Sequence, residues 1–179
     1  MIGYNEHRYS PNHVNVYCEK CGKKADFYRR KLARIRQKKD ISFFENSPYF
    51  DYVKCQNWQG QTEHIAEFYP HLIIKDLPDN KFYWYSKGFA GSLICWSCGL
   101  KKKTNLDWLN QAYYQIEYRQ QVLWAYDLKH VQILYDYLSK MNRSDREHTY
   151  LKHLPKIFLK KHARDFLCKK LAKYLKDSE

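Results

Sequence analysis

Cys18-Glu-Lys-Cys21-Gly22 is the first of two copies of one five-residue motif, and Cys95-Trp-Ser-Cys98-Gly99 is the second. A Cys-x-x-Cys turn brings two sulfurs to one side, and the glycine after it can adopt the positive φ that such a turn requires. Each copy is therefore typical of a zinc knuckle, which supplies half of a metal site. A redox Cys-x-x-Cys pair would be expected once, in a βαβ unit, so the duplication favours the metal site.

The two knuckles together predict one zinc ion. Its predicted ligands are Cys18, Cys21, Cys95 and Cys98. Four thiolates complete a tetrahedral coordination sphere, whereas a catalytic zinc keeps one position open for water, so the predicted zinc is structural. The stretch between the knuckles leaves open a replacement ligand or a second metal, through Cys55, His64 or His71.

The charge of the chain points to an anionic partner. Its 179 residues contain 32 Lys and Arg against 19 Asp and Glu, a formal net charge of +13. Because such a surplus causes self-repulsion unless something anionic lies against it, we predict a nucleic acid, DNA or RNA, as partner, together with other protein subunits. No apolar run reaches the roughly 18 residues of a spanning helix, and we predict no membrane partner and a reducing, cytoplasmic location.

The predicted fold class is α+β, with a small zinc-knuckle β module and a mainly helical C-terminal half. We place the module at residues 1–103, with a long insert between the knuckles, and a basic helical region packed on it at residues 104–179. Alternation over residues 13–17 predicts a strand that leads into the first knuckle. The aromatic run at residues 82–85 and the apolar residues up to Ile94 predict a hairpin that carries the second knuckle.

Several helices are predicted from apolar spacing. Residues 23–39 contain nine Lys or Arg and one acid, with apolar residues at helical intervals, and predict a short amphipathic helix. Thr104 and Asp107 resemble a capping box for a helix that would run to about Ala125. Asp127 is the predicted cap of the next helix, and a lysine-rich helix is expected at the C-terminus.

The basic segments supply the predicted nucleic-acid contacts. The candidates are Arg29, Arg30, Lys31, Arg34, Arg36, Lys38, Lys39, Lys101, Lys102, Lys103, Lys160, Lys161, Arg164, Lys169 and Lys170. Guanidinium groups can reach guanine edges, whereas ammonium groups are better suited to positioning against phosphates. Tyr83, Trp84 and Phe89 are candidates for base stacking.

Two other classes of function stay open. The exposed aromatics could instead serve a protein-interaction adaptor, with the charge serving only solubility. A metal-dependent nuclease would need acids around Mg²⁺, for which Glu63-His64, Asp76 with Asp79, and Asp145 with Glu147-His148 are candidates. The deaminase signature and the glycine-rich phosphate loops are missing from the sequence, and we predict a protein without catalysis.

The cysteine motifs at residues 18–22 and 95–105 resemble those of zinc-ribbon and treble-clef proteins, although the insert between them is longer than in compact members. That resemblance implies a four-cysteine zinc finger and frequent association with nucleic acids. The N-terminal Cys-x-x-Cys-Gly, the distant second pair and the basic helical remainder also resemble the zinc-finger-bearing large subunit of type IV CRISPR effector complexes. This resemblance implies contact with guide RNA ends or the target duplex within a larger assembly.

Overall fold

A computed structural model describes residues 11–72, 83–85, 88–140, 151 and 154–177, with the backbone alone at residues 83–85 and 109. The fold is a mixed α and β structure. Its strands are β1 (His13–Tyr17), β2 (Lys24–Arg29), β3 (Lys31–Arg34), β4 (Asp51–Gln56), β5 (Thr62–Phe68), β6 (Tyr83–Tyr85), β7 (Ala90–Ile94), β8 (Lys101–Asn105), β9 (Tyr114–Tyr118) and β10 (Gln121–Ala125). Its helices are α1 (Ile41–Glu45), α2 (Trp108–Gln111), α3 (Leu128–Ser139) and α4 (Lys161–Lys176).

The chain forms two compact units. The knuckle unit is Cys18–Trp108, and the C-terminal unit combines Leu109–Glu179 with the initial segment Met1–Tyr17. The strand expected at residues 13–17 is present as β1. The sequence-based division between residues 103 and 104 falls inside β8, five residues before the end of the knuckle unit.

One sheet of the knuckle unit carries both cysteine motifs. Its strands β2, β7 and β8 are neighbours and run antiparallel. Ile94 on β7 lies directly opposite Asp26 on β2 and Lys101 on β8. β2 begins two residues after Gly22, and β7 ends immediately before Cys95. Pairing these two strands therefore brings together motifs that lie far apart in sequence.

The predicted helix over residues 23–39 is wrong, because this stretch forms β2 and β3 in two different sheets. Its buried residues are Ala25 and Phe27, then Ala33 and Ile35, and each pair has the two-residue period of a strand. β3 joins a four-stranded sheet with the order β4-β5-β3-β6. The composition of residues 41–44 favours a strand, but this stretch forms the short helix α1, which contributes buried Phe44 to the core of this sheet.

The predicted hairpin around residues 82–94 is also wrong. β6 pairs with β3, whereas β7 pairs with β2 and β8, so its two strands belong to different sheets. The Leu-Pro-Asp-Asn stretch at residues 77–80, which predicts a turn, lies outside the described residues.

A β-hairpin replaces the helix expected from Thr104 to Ala125. Thr104 belongs to β8, α2 is only four residues long, and β9 pairs with β10. Arg119 and Gln120 form the two-residue turn, with φ of 48° and 62°, as hairpin turns of this length require. The C-terminal half is therefore less helical than expected.

Helices α3 and α4 cover this hairpin. As predicted, Asp127 caps α3, because its carboxylate accepts a 2.7 Å hydrogen bond from the His130 N–H. Their buried residues pack in one core with the hairpin: Val131, Leu134, Leu138, Leu167, Leu171, Tyr114, Ile116 and Leu123. Phe166 belongs to the apolar spacing that predicts the buried side of this C-terminal helix, but it is 37% exposed. Ser144 and Glu147, whose spacing predicts a helix cap, lie outside the described residues.

Among the helices of the described segments, none is both long and apolar enough to cross a membrane.

Candidate metal centre and basic surfaces

The four cysteines of the two knuckles converge at one point of the knuckle unit. Their sulfur atoms all lie within 4.8 Å of one another. The pairs that cross between the knuckles are close, with 3.6 Å from Cys18 Sγ to Cys98 Sγ and 3.6 Å from Cys21 Sγ to Cys95 Sγ. A disulfide would require about 2.05 Å, so the sulfurs are free thiols.

Each knuckle is closed by the same backbone hydrogen bonds. In the first, the Gly22 N–H donates to the Cys18 carbonyl at 2.8 Å, and the Cys18 N–H donates to the Lys23 carbonyl at 2.8 Å. In the second, the N–H of Gly99 donates to the Cys95 carbonyl at 2.9 Å. Gly22 and Gly99 have φ of 69° and 72°, a conformation that favours glycine. Both copies of the motif therefore form the tight turn that the sequence predicts.

Backbone N–H groups and close sulfurs set the ionisation of the thiols. Burial acts to raise the pKa of Cys95, but the N–H groups of Cys98 and Ser97 and the nearby thiols lower it to about 7. The Leu100 N–H acts to lower the pKa of Cys98, but burial and the other three thiols raise it to about 12. Without a cation, the cluster therefore favours a thiolate at Cys95 and a protonated Cys98.

The donor set fits a tetrahedral metal ion. A Zn–S bond of about 2.3 Å implies sulfurs about 3.8 Å apart, and the two crossing distances are 3.6 Å. Cys18 and Cys95 are buried, whereas Cys21 is exposed and Cys98 is partly so. The four cysteines can therefore hold an ion such as zinc near the surface of the unit, with the thiolates filling its coordination sphere.

The alternative ligands lie outside this cluster. Among the described residues, the only group of three or more metal-binding side chains is the four cysteines. Cys55 lies on β4, the His64 ring is hydrogen-bonded to the Tyr52 hydroxyl, and the His71 ring packs 4.1 Å from the Tyr28 ring. Asp76, Asp79, Asp145, Glu147 and His148 lie outside the described residues.

The arginines expected on one helix are divided between strands, and two are paired with acids. Arg30 Nη1 lies 2.7 Å from Glu67 Oε2, and Arg34 Nη2 lies 3.1 Å from Glu63 Oε1. Arg29 and Lys31 are partly buried on β2 and β3, whereas Arg36, Lys38 and Lys39 follow β3 and are exposed. The arginines therefore do not form the continuous helical surface that the sequence predicts.

The lysines after the second knuckle lie on β8 and are also engaged within the unit. Lys102 Nζ lies 2.5 Å from Glu19 Oε1, and Lys103 Nζ lies 2.6 Å from Asp51 Oδ2. Lys101 Nζ lies 5.8 Å from the ring centroid of Trp96.

Helix α4 presents a second basic surface, in the C-terminal unit. Ala163, Leu167 and Leu171 face the core. The solvent side carries an exposed group that we name the α4 lysine face: Lys161, Lys169, Lys170, Lys173 and Lys176. Of the other candidates here, Lys160 is exposed at the helix start and Arg164 is partly buried.

The stacking candidates include one packed ring. Phe89 stacks on Trp108, with centroids 5.7 Å apart and planes 13° apart, and Trp108 is only 4% exposed. The side chains of Tyr83 and Trp84 lie outside what the structure describes. Two tryptophans that sequence reasoning did not select are far more exposed, Trp96 at 69% and Trp58 at 91%.

Both exposed tryptophans lie in turns that the sequence marks. Trp96 lies between Cys95 and Cys98, and Trp58 lies in the β4–β5 turn, between Asn57 and Gly60. A bulky ring inside a tight turn has little room to reach a core. The positions of Trp96 and Trp58 in the sequence therefore indicate that both rings are exposed.

Comparison of the chain with protein-family models, curated proteins and solved structures finds no match. The cysteine cluster agrees with the four-cysteine motif, and nothing in these comparisons supports the likeness to a CRISPR subunit.

Proposed function

We propose that the protein is a nucleic-acid-binding protein stabilised by one structural zinc ion, without catalysis, that works as a subunit of a nucleoprotein complex. The observation that carries the proposal is the α4 lysine face. Five exposed lysines lie on a helix whose opposite side is fixed in a core. Within the described residues, none of these five forms an ion pair.

The arrangement of the lysines suits a phosphate backbone. Lys169, Lys173 and Lys176 are spaced at i, i+4 and i+7, so they lie along one side of the helix. Helix α4 has 16 residues, which corresponds to about 24 Å of length. Because lysine ammonium groups contact phosphates without reading bases, this surface favours affinity over sequence specificity.

We propose zinc as the metal and a structural role for it. Tetrahedral sulfur sites take zinc or iron, and the duplicated knuckle is typical of structural zinc. Structural zinc contributes about 10 to 16 kcal/mol of apparent binding free energy in finger peptides at pH 7, comparable with the whole stability of a domain, about 5 to 15 kcal/mol. The ion would therefore contribute much of the stability of the knuckle unit.

A protein-interaction adaptor is the second candidate. Trp58 is 91% exposed and Phe43 is 56% exposed. The Asn57 side chain accepts hydrogen bonds from the N–H groups of Gln59 and Gln61, each at 2.9 Å, which stiffens the turn that carries Trp58. Apolar residues displayed in this way are typical of docking surfaces.

A metal-dependent nuclease has less support. Glu63 is paired with Arg34, and His64 is hydrogen-bonded to Tyr52, so these two candidates already have partners. We therefore propose binding without strand cleavage, and incubation of labelled DNA and RNA with Mg²⁺ or Mn²⁺ should leave both intact.

A salt titration distinguishes nucleic-acid binding from the adaptor. We expect log K for a labelled oligonucleotide to fall linearly with log salt, with a slope of about −0.7 per contacted phosphate for a single strand and −0.9 for a duplex. Changing Lys169, Lys170, Lys173 and Lys176 together to Gln should reduce that slope, whereas the same four changes to Arg should retain it. Absence of binding at low salt, or binding that is insensitive to salt and to the Gln variant, would contradict the proposal.

A further inference from the structure

Trp96 is an exposed ring held in a fixed orientation. Its indole Nε1–H donates a 2.8 Å hydrogen bond to Asp26 Oδ2, although 69% of the residue is exposed to solvent. The indole N–H of a buried tryptophan usually finds a hydrogen-bond partner, but an exposed indole has water available and does not need one. Here the partner fixes the ring while leaving it open to solvent.

The sheet of the knuckle unit fixes the groups around this ring. Ile94 on β7 is paired with Asp26 on β2 and with Lys101 on β8. Trp96 follows Ile94 by two residues. The Lys101 ammonium lies over one face of the ring, 5.8 Å from its centroid, so a base would stack on the opposite face. Lys24, two residues before Asp26 on β2, is exposed and lies on the same face of the sheet.

This combination of groups is suited to an unpaired nucleotide. Every base has a π-face that can stack on an indole ring, and lysines beside the ring can contact the adjoining phosphates. Bases in a continuous duplex are already stacked on their neighbours and cannot reach an isolated ring without unstacking.

We propose that Trp96 is a stacking platform for an unpaired base of a single-stranded nucleic acid, with Lys101 and Lys24 at the adjoining phosphates. The inference rests on the proposed nucleic-acid binding and deepens it by naming the ligand class and the contact residue. The charge of the flanking lysines favours this ligand over an apolar protein partner, for which the exposed ring alone would suffice.

The test compares single-strand with duplex affinity in variants of the full-length protein. Trp96→Ala should weaken binding of a labelled single-stranded oligonucleotide by about 5- to 150-fold, the range for loss of one base–aromatic stack. Trp96→Phe should retain most of that affinity, because a phenyl ring still stacks. Affinity for a blunt duplex should change little in either variant.

Trp58→Ala is the matched control, since it removes a more exposed tryptophan from a different turn, and it should leave single-strand affinity unchanged. The metal content of each variant shows whether the knuckle is intact. If Trp96→Ala loses metal, Trp96→Gln, which removes the aromatic ring but keeps a longer side chain, supplies the comparison with Trp96→Phe.

The proposal and the broader function fail in different ways. If wild-type protein binds single strands in a salt-dependent manner and Trp96→Ala binds equally well, the platform is wrong and the proposed function stands. Equal weakening for single strand and duplex, with metal retained, would also overturn the platform. If wild-type protein binds no nucleic acid at any salt concentration, both are wrong.

Discussion

The Sγ atoms of Cys18 and Cys98 lie 3.6 Å apart, although 80 positions separate the two residues in sequence. The first cysteine of one knuckle thus meets the last cysteine of the other. A metal ion held there would fasten both ends of a loop that includes the sheet formed by β3 to β6. Closing so long a loop is entropically costly, and a metal bound only by the folded chain offsets that cost.

Loss of one ligand should release the metal. In Cys21→Ser, the hydroxyl replaces a thiolate that is exposed and accessible, so we expect metal content to fall sharply and the thermal midpoint of the knuckle unit to drop. Cys55→Ser is the matched control, because Cys55 lies on β4 outside the cluster. Metal analysis and thermal unfolding check both variants. Equal metal content in the two would count against the four-cysteine site.

Gly91 on β7 has no room for a side chain. A Cβ at this position would overlap the backbone oxygen of Tyr28 and lie 2.7 Å from Cζ of Phe27. Because the backbone of a paired strand cannot move away cheaply, we expect Gly91→Ala to cost about 3 kcal/mol of unfolding free energy.

Gly60→Ala is the comparison for this prediction. Gly60 has φ of 77° and open space around it, so alanine there meets only backbone strain of about 1 kcal/mol. Urea unfolding of both variants shows whether Gly91→Ala lowers the free energy of unfolding more than Gly60→Ala does. A Gly91→Ala protein as stable as wild type would contradict the pairing of β2 with β7.

Arg30 and Glu67 form an ion pair that is largely shielded from water, with exposed side-chain fractions of 27% and 15%. Glu67 also accepts a hydrogen bond from the Tyr69 hydroxyl at 3.2 Å. Arg30→Gln leaves this carboxylate without its cation and should destabilise the protein by about 1 to 3 kcal/mol.

Adding Glu67→Gln should recover most of that loss, because the unpaired charge is then removed. Denaturant unfolding of the two single variants and the double variant gives the coupling free energy. Additive effects of the two changes would show that the pair does not interact in solution.

The Asp127 cap allows a separate test of the C-terminal unit. Asp127→Ala removes the acceptor of the His130 N–H and should cost about 1 kcal/mol, whereas Asp127→Asn should retain most of the stability, because asparagine caps equally well. Urea unfolding distinguishes the two. Equal destabilisation by both substitutions would indicate that charge, and not the cap hydrogen bond, sets the effect.

The sequence predicts the four-cysteine cluster and the last two helices well because their signals are local. The spacing of Cys18 and Cys21, repeated at Cys95 and Cys98, specifies the geometry of each knuckle. Asp127 accepts a hydrogen bond from a residue only three positions away. Such features need no information from distant parts of the chain.

The sequence predicts helices where the structure has strands, because short apolar runs match both periods. Tyr114 and Ile116 on β9 and Leu123 and Ala125 on β10 are buried at two-residue intervals, but the same stretch also matches a helical stripe. The hairpin turn has Arg119 and Gln120 at positive φ, whereas Asn-Gly is the usual sequence signal for such a turn. The sequence therefore does not predict a turn at this position.

Where the arginine side chains lie depends on whether residues 23–39 form a helix or strands. A helix would have placed Arg30 and Arg34 on one solvent-exposed surface, whereas the strands place them beside Glu67 and Glu63 on β5. That pairing is decided by strand order in the sheet β4-β5-β3-β6, which local sequence does not specify.

Elemental analysis of the folded, purified protein tests the metal centre most directly. The site geometry predicts one zinc ion per chain, which should be lost together with the cooperative unfolding transition of the knuckle unit when a strong chelator is added. A chain that is free of metal and still unfolds cooperatively at the same temperature would contradict the four-cysteine centre.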